Sequence, residues 1–290
     1  MDQYIFFDPK QQESYKLQAP ILTTEGLQVE LTEWKGRGGN ASVFSCVDVS
    51  TGEELAIKFL MKMSQKSEQR FDREALLMRE LQSEHAIRYR GEGSVLTQEL
   101  RRNSRTTREI NIPFILMDLA EYDLSKMMQN RRNGLAYEQY AGQFRGLAGA
   151  LAELHERAIH RDIKPENILI IGDRWLLSDY GLCTFVDEDE IELTHIDEIV
   201  GPKYWFSPEA HNRRIKCGDE ITRASDVYQL AAIFWYAATG RHPSGIVTIN
   251  DWSGSIPLFE VLSESLKHDC QLRPQDGSAM LNALTAALES

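Results

Sequence analysis

The chain has 290 residues and a mass of 33.2 kDa, with 42% hydrophobic and 26% charged residues. This composition is ordinary for a globular protein and excludes a disordered tail, a collagen-like fibre and a coiled coil. The formal net charge of −12 would repel polyphosphate, so we expect no nucleic-acid partner. The longest apolar run, Val227–Thr239, is shorter than the roughly 20 residues of a membrane-crossing helix, so we expect no membrane insertion.

The cysteines and the N-terminus indicate the compartment. Cys46, Cys183, Cys217 and Cys270 form no CxxC pair, which is typical of reduced thiols rather than of a disulfide framework or a zinc site. The N-terminus has an early Asp and no basic flank before a long apolar stretch, unlike a secretory signal. We therefore expect a cytoplasmic protein, and the sequence leaves its oligomeric state open.

The first part of the chain favours strands. Residues 1–25 have no clear period, and we interpret them as an N-terminal extension. Val43–Val47 and Leu55–Leu60 flank a Gly-containing turn and predict a β-hairpin. Residues 68–82 carry apolar side chains three and four positions apart and predict a helix. The continuous apolar run Ile112–Leu119 predicts a buried strand.

The remainder of the chain favours helices. Residues 140–154 place apolar side chains four, three, four and three positions apart, which is one face of an amphipathic helix. Ile168–Ile171 and Trp175–Leu177 predict a second short hairpin, and residues 222–240 and 257–289 have helical patterns.

These elements predict a bilobed α+β architecture. A small β-rich N-lobe with one helix would cover residues 26–118, and a larger, mainly α-helical C-lobe would cover residues 119–290.

A glycine-rich segment, Gly36–Val43, lies between two predicted strands. Glycines let the backbone approach a ligand so that its amides point at phosphate oxygens, although glycine-rich turns are common. A strand follows it, unlike in a dinucleotide fold, and the Gly-Lys-Ser/Thr of a P-loop is missing. On the next strand Lys58 is flanked by apolar residues, so its ammonium must either snorkel to solvent or meet a fixed anion, for which Glu74 is a candidate. By themselves these features favour a plain turn and an ion pair.

Residues 160–167 have the sequence His-Arg-Asp-Ile-Lys-Pro-Glu-Asn, which resembles the catalytic loop of the eukaryotic-type protein kinases. Further motifs of that family follow in order along the chain. Asp179-Tyr180-Gly181 resembles the metal-binding Asp-Phe-Gly, and Ser207-Pro208-Glu209 resembles the Ala-Pro-Glu that closes the activation segment. Asp226-Val227-Tyr228 resembles the start of the helix that anchors the catalytic loop. Arg273-Pro274 resembles the late arginine that pairs with the Glu of the closing motif. With the glycine-rich segment, Lys58 and Glu74, the resemblance spans roughly residues 27–290.

The resemblance implies a protein-kinase-like fold, with residues 26–290 as one catalytic domain, and ATP- and Mg²⁺-dependent phosphoryl transfer. It implies that Asp162 accepts or orients the proton of the substrate hydroxyl and that Lys164 meets the transferred γ-phosphate. It also implies that Glu74 orients Lys58 on the α- and β-phosphates.

The same resemblance implies where ATP and the metal bind. Asn167 and Asp179 would hold magnesium through hard oxygen donors. The implied ATP-binding residues are Gly36, Arg37, Gly38, Gly39, Asn40, Ala41, Val43, Ala56, Lys58, Met117, Asp118, Ala120 and Asp123. Within this set, Met117 would be the gatekeeper residue of the hinge, Asp118 and Ala120 would offer backbone groups to adenine, and Asp123 would reach the ribose.

Lys164 also bears on the substrate class, because a Lys two positions after the catalytic Asp marks the Ser/Thr branch of the resembling family. Protein substrates with Ser or Thr hydroxyls are therefore the expected partners, with autophosphorylation included. Two alternatives stay open: a pseudokinase scaffold, and a small-molecule kinase of the aminoglycoside or choline type. Degenerate kinases usually lose one of the core charged residues, all of which are present here.

Regulation and substrate geometry are where the sequence departs from the family. Pro202 stands where Ser/Thr kinases usually carry a Thr whose hydroxyl bridges the catalytic Asp and Lys. Arg161 precedes the catalytic Asp and in the family usually grips an activation-segment phosphate. The seven carboxylates in residues 187–198 have two interpretations. Either one of them neutralises Arg161, so that the enzyme is active without phosphorylation of this segment, or they all belong to a solvated acidic loop. Thr184 and Thr194 are candidate phosphosites.

Three aromatic and imidazole side chains near these motifs have structural interpretations. Tyr180 replaces the family's Phe and adds a hydroxyl that needs a partner if it is buried. We expect His160 to pack in a column with Tyr180 and Met78 that joins the lobes, and not to act as a base. We expect His155, on the preceding helix, to be structural. The basic stretch Arg101–Arg108 is either a solvated loop or a docking patch.

Overall fold

The computed structural model describes residues 2–8, 13–38, 40–100, 108–186 and 204–290. The chain forms two compact units. Unit 1 comprises Met1–Arg79 and Arg88–Ala120, and unit 2 comprises Glu80–Ile87 and Glu121–Ser290. Unit 1 is the β-rich part with one helix, and unit 2 is the mainly helical part, as the bilobed α+β prediction requires.

Unit 1 is built on an antiparallel sheet that has eight strands within the described residues. The strands are β1 (Asp2–Asp8), β2 (Glu13–Gln18), β3 (Ile21–Leu22), β4 (Gln28–Arg37), β5 (Ala41–Asp48), β6 (Glu54–Leu60), β7 (Tyr89–Leu100) and β8 (Arg108–Asp118). They pair in the order β1-β2-β7-β8-β6-β5-β4-β3. Strand β1, at one end, also contacts β4 near the other end, so the sheet curls. The predicted hairpin is β5–β6, and the predicted buried strand is β8.

The N-terminal extension belongs to this sheet. Strand β2 pairs with β7, and the short strand β3 pairs with β4. Tyr15, Leu17 and Ile21 are buried in the same apolar cluster as Phe59 of β6 and Phe114 of β8. Burial of one such side chain stabilises a fold by roughly 1.5–3 kcal/mol. The extension therefore contributes directly to the core of unit 1.

The helix of unit 1, α1 (Gln65–Glu80), begins where the Ser64 hydroxyl accepts a hydrogen bond from the backbone N–H of Ser67. The predicted helix covered residues 68–82. Helix α1 therefore starts three residues earlier and ends two residues earlier than predicted, which is the usual error of helix boundaries predicted from sequence. Phe71, Ala75 and Met78 are buried, as their spacing predicts. Glu74 is buried on the same helix, and its carboxylate therefore needs a partner.

Unit 2 consists mainly of helices. They are α2 (Leu124–Met127), α3 (Tyr137–His155), α4 (Pro208–Arg214), α5 (Arg223–Thr239), α6 (Ile256–Ser265) and α7 (Gly277–Glu289). Two small antiparallel sheets accompany them: β9 (Tyr122–Asp123), β11 (Ile168–Ile171) and β12 (Arg174–Leu177) form one, and β10 (Ala158–Ile159) and β13 (Thr184–Phe185) form the other. The predicted second hairpin is β11–β12.

The core of unit 2 lies between α3 and α5. The rings of Phe144 on α3 and Phe234 on α5 are stacked with their centroids 4.0 Å apart. Helix α5 contains the long apolar run and is buried over most of its length, as predicted. No helix in the described ranges is both long and apolar enough to cross a membrane.

The predicted helical region 257–289 is wrong in one respect, because it contains two helices, α6 and α7, with a break between them. The physical reason lies in the break itself. Helix α6 already ends at Ser265, and Pro274, which has no backbone N–H, prevents one helix from running through the segment that follows. The Asp276 carboxylate then caps a new helix by accepting from the Ala279 N–H at 2.8 Å.

Candidate active site

The glycine-rich segment forms the turn between β4 and β5. The backbone N–H of Gly38 donates to the Ala41 carbonyl at 3.0 Å, and the carbonyl of Asn40 accepts from the Met61 N–H at 2.8 Å. Gly36 and Arg37 pair with Val43 and Ser42 across the two strands. The segment is therefore a hairpin turn that leads directly into β5, as the sequence predicts.

Lys58 and Glu74 form an ion pair within unit 1. The Lys58 Nζ atom lies 2.6 Å from Glu74 Oε1, and the two side chains are 15% and 4% exposed. Lys58 stands in the middle of β6, in register with Val43 of β5 and Ile115 of β8, so its backbone is held on both sides. The proposed orienting contact is thus present, and the low exposure keeps the Lys58 ammonium in one place.

The end of β8 carries the residues predicted to meet adenine. Met117 is buried and pairs with Ala56 of β6, and Asp118 is the last residue of the strand. The backbone N–H of Asp118 donates to the Arg88 carbonyl at 3.2 Å, and its carboxylate accepts from the Arg90 Nε atom. The side chain of Asp118 is therefore used for structure, and only its backbone carbonyl fits the adenine role.

Asp123, the predicted ribose ligand, begins unit 2's first helix. Its Oδ1 atom accepts from the Lys126 N–H at 2.9 Å and caps α2. The carboxylate is 18% exposed, with Oδ2 3.6 Å from the Lys126 ammonium. The structure thus gives Asp123 a capping role of its own.

The loop 160–167 brings three predicted residues together in unit 2. The Lys164 Nζ atom lies 2.7 Å from Asp162 Oδ2. The Asn167 side-chain amide donates to the Asp162 carbonyl at 2.8 Å and to Asp162 Oδ2 at 3.0 Å. Because these bonds use the Asn167 N–H groups, the orientation of the amide is defined and its oxygen is the atom suited to a metal ligand.

The environment of Asp162 shifts the pKa of its carboxyl group. Burial raises the pKa of the Asp162 carboxyl above its usual range. The charge and hydrogen bond of Lys164 oppose that rise, and the negative charge of Asp179 adds to it. A buried carboxylate whose pKa is raised by desolvation is the kind of group that accepts a proton in catalysis.

The Asp179-Tyr180-Gly181 motif follows β12 directly. Asp179 has a left-handed backbone, with φ of 63°, which is uncommon outside glycine and typical of functional turns. Tyr180 is fully buried, and its hydroxyl donates to the Leu177 carbonyl at 2.8 Å. The hydroxyl that distinguishes this residue from the family's Phe therefore has the partner it needs. The His160 and Tyr180 rings lie 5.5 Å apart, so the part of the packing predicted between these two residues is confirmed.

Asp226, at the start of α5, anchors the loop 160–167. Its Oδ2 atom accepts from the His160 backbone N–H at 2.6 Å, and its Oδ1 atom accepts from the Arg161 N–H at 2.8 Å. Arg161 has φ of 71°, so the carboxylate holds a strained backbone in place. The anchoring implied by the resemblance is confirmed.

His155 completes this buried framework, which confirms its structural role. Its Nδ1 atom accepts from the Gly277 N–H at 2.9 Å, so Nε2 carries the proton and donates to Asp226 Oδ2 at 3.0 Å. The imidazole therefore links α3, α5 and the first residue of α7. Neither contact could be predicted from the sequence, because the partners of His155 lie 71 and 122 positions away in the chain.

Arg161 and Thr184 contact each other in the β10–β13 region. The Arg161 Nη1 atom donates to the Thr184 hydroxyl at 2.7 Å. The other parts of the regulatory prediction, Thr194, residues 187–198 and Pro202, lie outside the described residues, as do Gly39 and residues 101–107 of the basic stretch.

The predicted pair of Glu209 and Arg273 is formed and buried. The Arg273 Nη2 and Nη1 atoms lie 2.6 and 3.2 Å from Glu209 Oε1 and Oε2, a bidentate arrangement. The Ser207 hydroxyl caps α4 by accepting from the Ala210 N–H at 3.4 Å. The segment that follows residue 204 is therefore tied to the body of unit 2.

Comparison with known proteins gives the same result as the motifs. The family model described as protein kinase domain matches residues 30–272. The match includes every predicted catalytic, ATP-binding and metal-binding residue and leaves the N-terminal extension outside.

Individual relatives have low sequence identity to this chain but align with most of its length. A probable serine/threonine-protein kinase, PknB, of Bifidobacterium longum is 25% identical over 224 residues, which cover 75% of this chain and 31% of the relative. The serine/threonine-protein kinase drp72 of Corynebacterium efficiens is 27% identical over 276 residues, 87% of this chain and 49% of the relative. PknA of Corynebacterium glutamicum is 26% identical over 276 residues, 87% of this chain and 54% of the relative. The chain thus spans between about a third and about half of these relatives.

Proposed function

The chain belongs to the protein kinase family, and from that premise we propose that it transfers the γ-phosphoryl group of ATP, with magnesium, to Ser and Thr hydroxyls of proteins. The observation that carries this proposal is the cluster of Asp162, Lys164 and Asn167, in which a buried carboxylate is held by an ammonium and an amide. Serine/threonine specificity is supported by Lys164 and by the similarity to relatives that are named serine/threonine-protein kinases.

In unit 1, the proposed work is charge placement. Phosphoryl transfer needs little covalent chemistry from the protein and much positioning and charge neutralisation. The Lys58 ammonium, held at 2.6 Å by Glu74, supplies a fixed positive charge for the α- and β-phosphates. The backbone of the turn between β4 and β5 covers them in this proposal, and the carbonyl of Asp118 accepts from adenine.

In unit 2, Asp162 acts on the substrate. Its carboxylate, oriented by Asn167, accepts the proton of the Ser or Thr hydroxyl as the hydroxyl oxygen attacks the γ-phosphate. The Lys164 ammonium, 2.7 Å from the same carboxylate, neutralises the charge of the transferred phosphate. Both groups are 26% exposed or less, so water competes little for them.

The donors available for magnesium fit that ion. Asp179 offers a carboxylate and Asn167 an amide oxygen, which are the hard oxygen ligands that magnesium takes. Magnesium is usually held by one or two protein ligands together with substrate phosphates and water, so two residues suffice. When bound, the ion supplies positive charge to the phosphates.

We also propose that the protein acts in the cytoplasm and that its own Ser or Thr residues are among its substrates. The support for the compartment is that the four cysteines, all among the described residues, are free thiols.

The experiment measures magnesium-dependent incorporation of labelled phosphate with ATP. We expect wild type to label protein Ser and Thr, and we expect both Asp162→Asn and Lys58→Met to lose at least about 100-fold in rate, since each removes a charged group needed in the transition state. Lys35→Met is the matched control, because Lys35 is paired with Glu33 and is 40% exposed on β4. We expect it to label at the wild-type rate.

Three results would contradict the proposal in different ways. Equal incorporation by wild type and Asp162→Asn would indicate a scaffold with a contaminating activity. Phosphate found only on small solutes would indicate a small-molecule kinase. A normal rate for Lys58→Met would show that the role of holding the α- and β-phosphates is assigned to the wrong residue.

A further inference from the structure

The end of the N-terminal extension lies directly on β7. The backbone N–H of Thr24 donates to the Glu92 carbonyl at 2.8 Å, and the Glu92 N–H donates back to Glu25 Oε2 at 3.3 Å. Thr23 is buried, and its hydroxyl accepts from the Leu27 N–H at 3.0 Å. Residues 23–25, here called the extension clamp, therefore have a defined position on the strand.

Two glycines of β7 make this approach close. A Cβ atom at Gly91 would lie 3.1 Å from Glu25 Oε2 and 3.3 Å from Thr23 Cγ2. A Cβ atom at Gly93 would lie 2.8 Å from the Phe114 ring and 3.3 Å from the Leu22 carbonyl. Contacts shorter than about 3.4 Å are tighter than packed side chains normally allow. The strand is therefore shaped to accept the extension clamp.

A hydrogen-bond relay connects the extension clamp to α1. The Tyr89 hydroxyl donates to Glu25 Oε1 at 2.7 Å and accepts from Arg79 Nη2 at 3.3 Å. The same Arg79 atom donates to Glu92 Oε1 at 2.7 Å, and the guanidinium lies 5.1 Å from the centre of the Tyr89 ring. Burial and the bond to Glu25 raise the pKa of Tyr89 to about 12, so the hydroxyl keeps the proton that it donates.

Arg79 lies in the last turn of α1, and Glu74 lies on the same helix. A continuous helix moves as one body, so whatever fixes its last turn also constrains the position of Glu74 relative to β6. The bond from Glu74 to Lys58 is the contact that such a constraint would protect.

We propose that Glu25 is a positioning residue: through Tyr89 and Arg79, the extension clamp holds α1 so that Glu74 stays on Lys58. The consequence for activity rests on the proposed kinase function, but the contact itself does not. The extension clamp precedes residues 30–272, the part of the chain that matches the family model, so this role goes beyond what the family match provides.

The test compares Glu25→Ala with Glu25→Gln in the full chain. The alanine variant removes the acceptor of the Tyr89 hydroxyl, whereas the glutamine variant keeps an acceptor oxygen and should restore the contact. Glu33→Ala is the matched control, because Glu33 is an exposed carboxylate on β4 whose partner is Lys35 of the same strand.

The primary measurement is the rate at which formaldehyde and cyanoborohydride methylate Lys58, followed by mass spectrometry of the peptide. An amine released from its carboxylate reacts faster, so we expect Glu25→Ala to raise the Lys58 rate about two- to tenfold, the range of one lost hydrogen bond. Glu25→Gln and Glu33→Ala should stay within about twofold of wild type. The secondary measurement is turnover, in which we expect Glu25→Ala to raise the KM for ATP more than it lowers kcat.

The outcomes separate the positioning role from the kinase function. An Lys58 rate for Glu25→Ala no higher than that for Glu33→Ala overturns the positioning role. A raised Lys58 rate in a protein whose wild type shows no phosphoryl transfer keeps the positioning role and overturns the proposed function. If Glu25→Ala fails to fold, Tyr89→Phe interrupts the relay with a smaller change, and an unchanged Lys58 rate in that variant overturns the role.

Discussion

The anchor at Asp226 gives the sharpest prediction, which is the effect of Asp226→Asn. The Asp226 carboxylate is fully buried and accepts from three donors: the backbone N–H groups of His160 and Arg161 and the ring N–H of His155. Asparagine has the same shape but only one oxygen, and its NH₂ group would face one of these N–H groups. At least one buried donor would therefore lose its acceptor.

The magnitude follows from those contacts. A buried donor without an acceptor costs about 1–3 kcal/mol, and bonds to a charged acceptor are the stronger kind. Arg161, whose left-handed backbone costs about 1–2 kcal/mol, would lose the bond that holds it. We expect a loss of about 2–4 kcal/mol in the free energy of unfolding, which corresponds to a fall in Tm of roughly 5–15 °C for a unit of this size.

The assay is reversible urea unfolding followed by circular dichroism, together with the turnover of the folded variant. Because misplacing a reacting group by about 1 Å costs roughly 100-fold, we expect turnover to fall between about 10- and 100-fold. Asp276→Asn is the matched control, since Asn caps a helix as well as Asp and the Asp276 carboxylate bonds only to the start of α7. An Asp226→Asn variant that unfolds at the urea concentration of the control would refute the anchoring argument.

Two further predictions concern the core and the pH dependence. Leu17→Ala should lower the free energy of unfolding by about 2–5 kcal/mol, because Leu17 is only 1% exposed. Leu22→Ala, at a residue that is 56% exposed, should lower it by less than about 1 kcal/mol. Equal urea midpoints for the two variants would show that the extension is not part of the core. The ionised form of Asp162 accepts the proton, and burial raises its pKa while Lys164 lowers it. Turnover should therefore fall on acidification, and Lys164→Met should move the acid limb of kcat/KM to higher pH; a limb that stays or moves to lower pH contradicts this assignment.

Local sequence was enough to predict most elements. The spacing of Phe71, Ala75 and Met78 predicted α1, because a helix repeats every 3.6 residues and only one face is buried. The break between α6 and α7 was missed, although its signals are local. Pro274 and the capping Asp276 were present in the sequence, but the helical spacing of apolar residues within α6 and within α7 outweighed them in the prediction.

The N-terminal extension shows what local sequence does not contain. Residues 1–25 have no clear period because the segment is not a regular amphipathic element: it contributes short strands to two different parts of one sheet. Strand β2 pairs with residues 98–100 of β7, more than 80 positions away in sequence. Such pairings depend on which sheet edge is available, and that is known only once the sheet exists.

The candidate site divides along the same line. Asp162, Lys164 and Asn167 lie within six residues, so their chemistry and their mutual contacts could be predicted together. The groups that hold them are far away in sequence: His155 receives the Gly277 N–H from 122 positions further along the chain. A histidine beside a leucine on an amphipathic helix gives no sign of that partner. The residues that perform the chemistry of the loop are therefore close together in sequence, whereas the residues that hold the loop rigid are far apart. A variant of His155 should weaken turnover while leaving every motif intact.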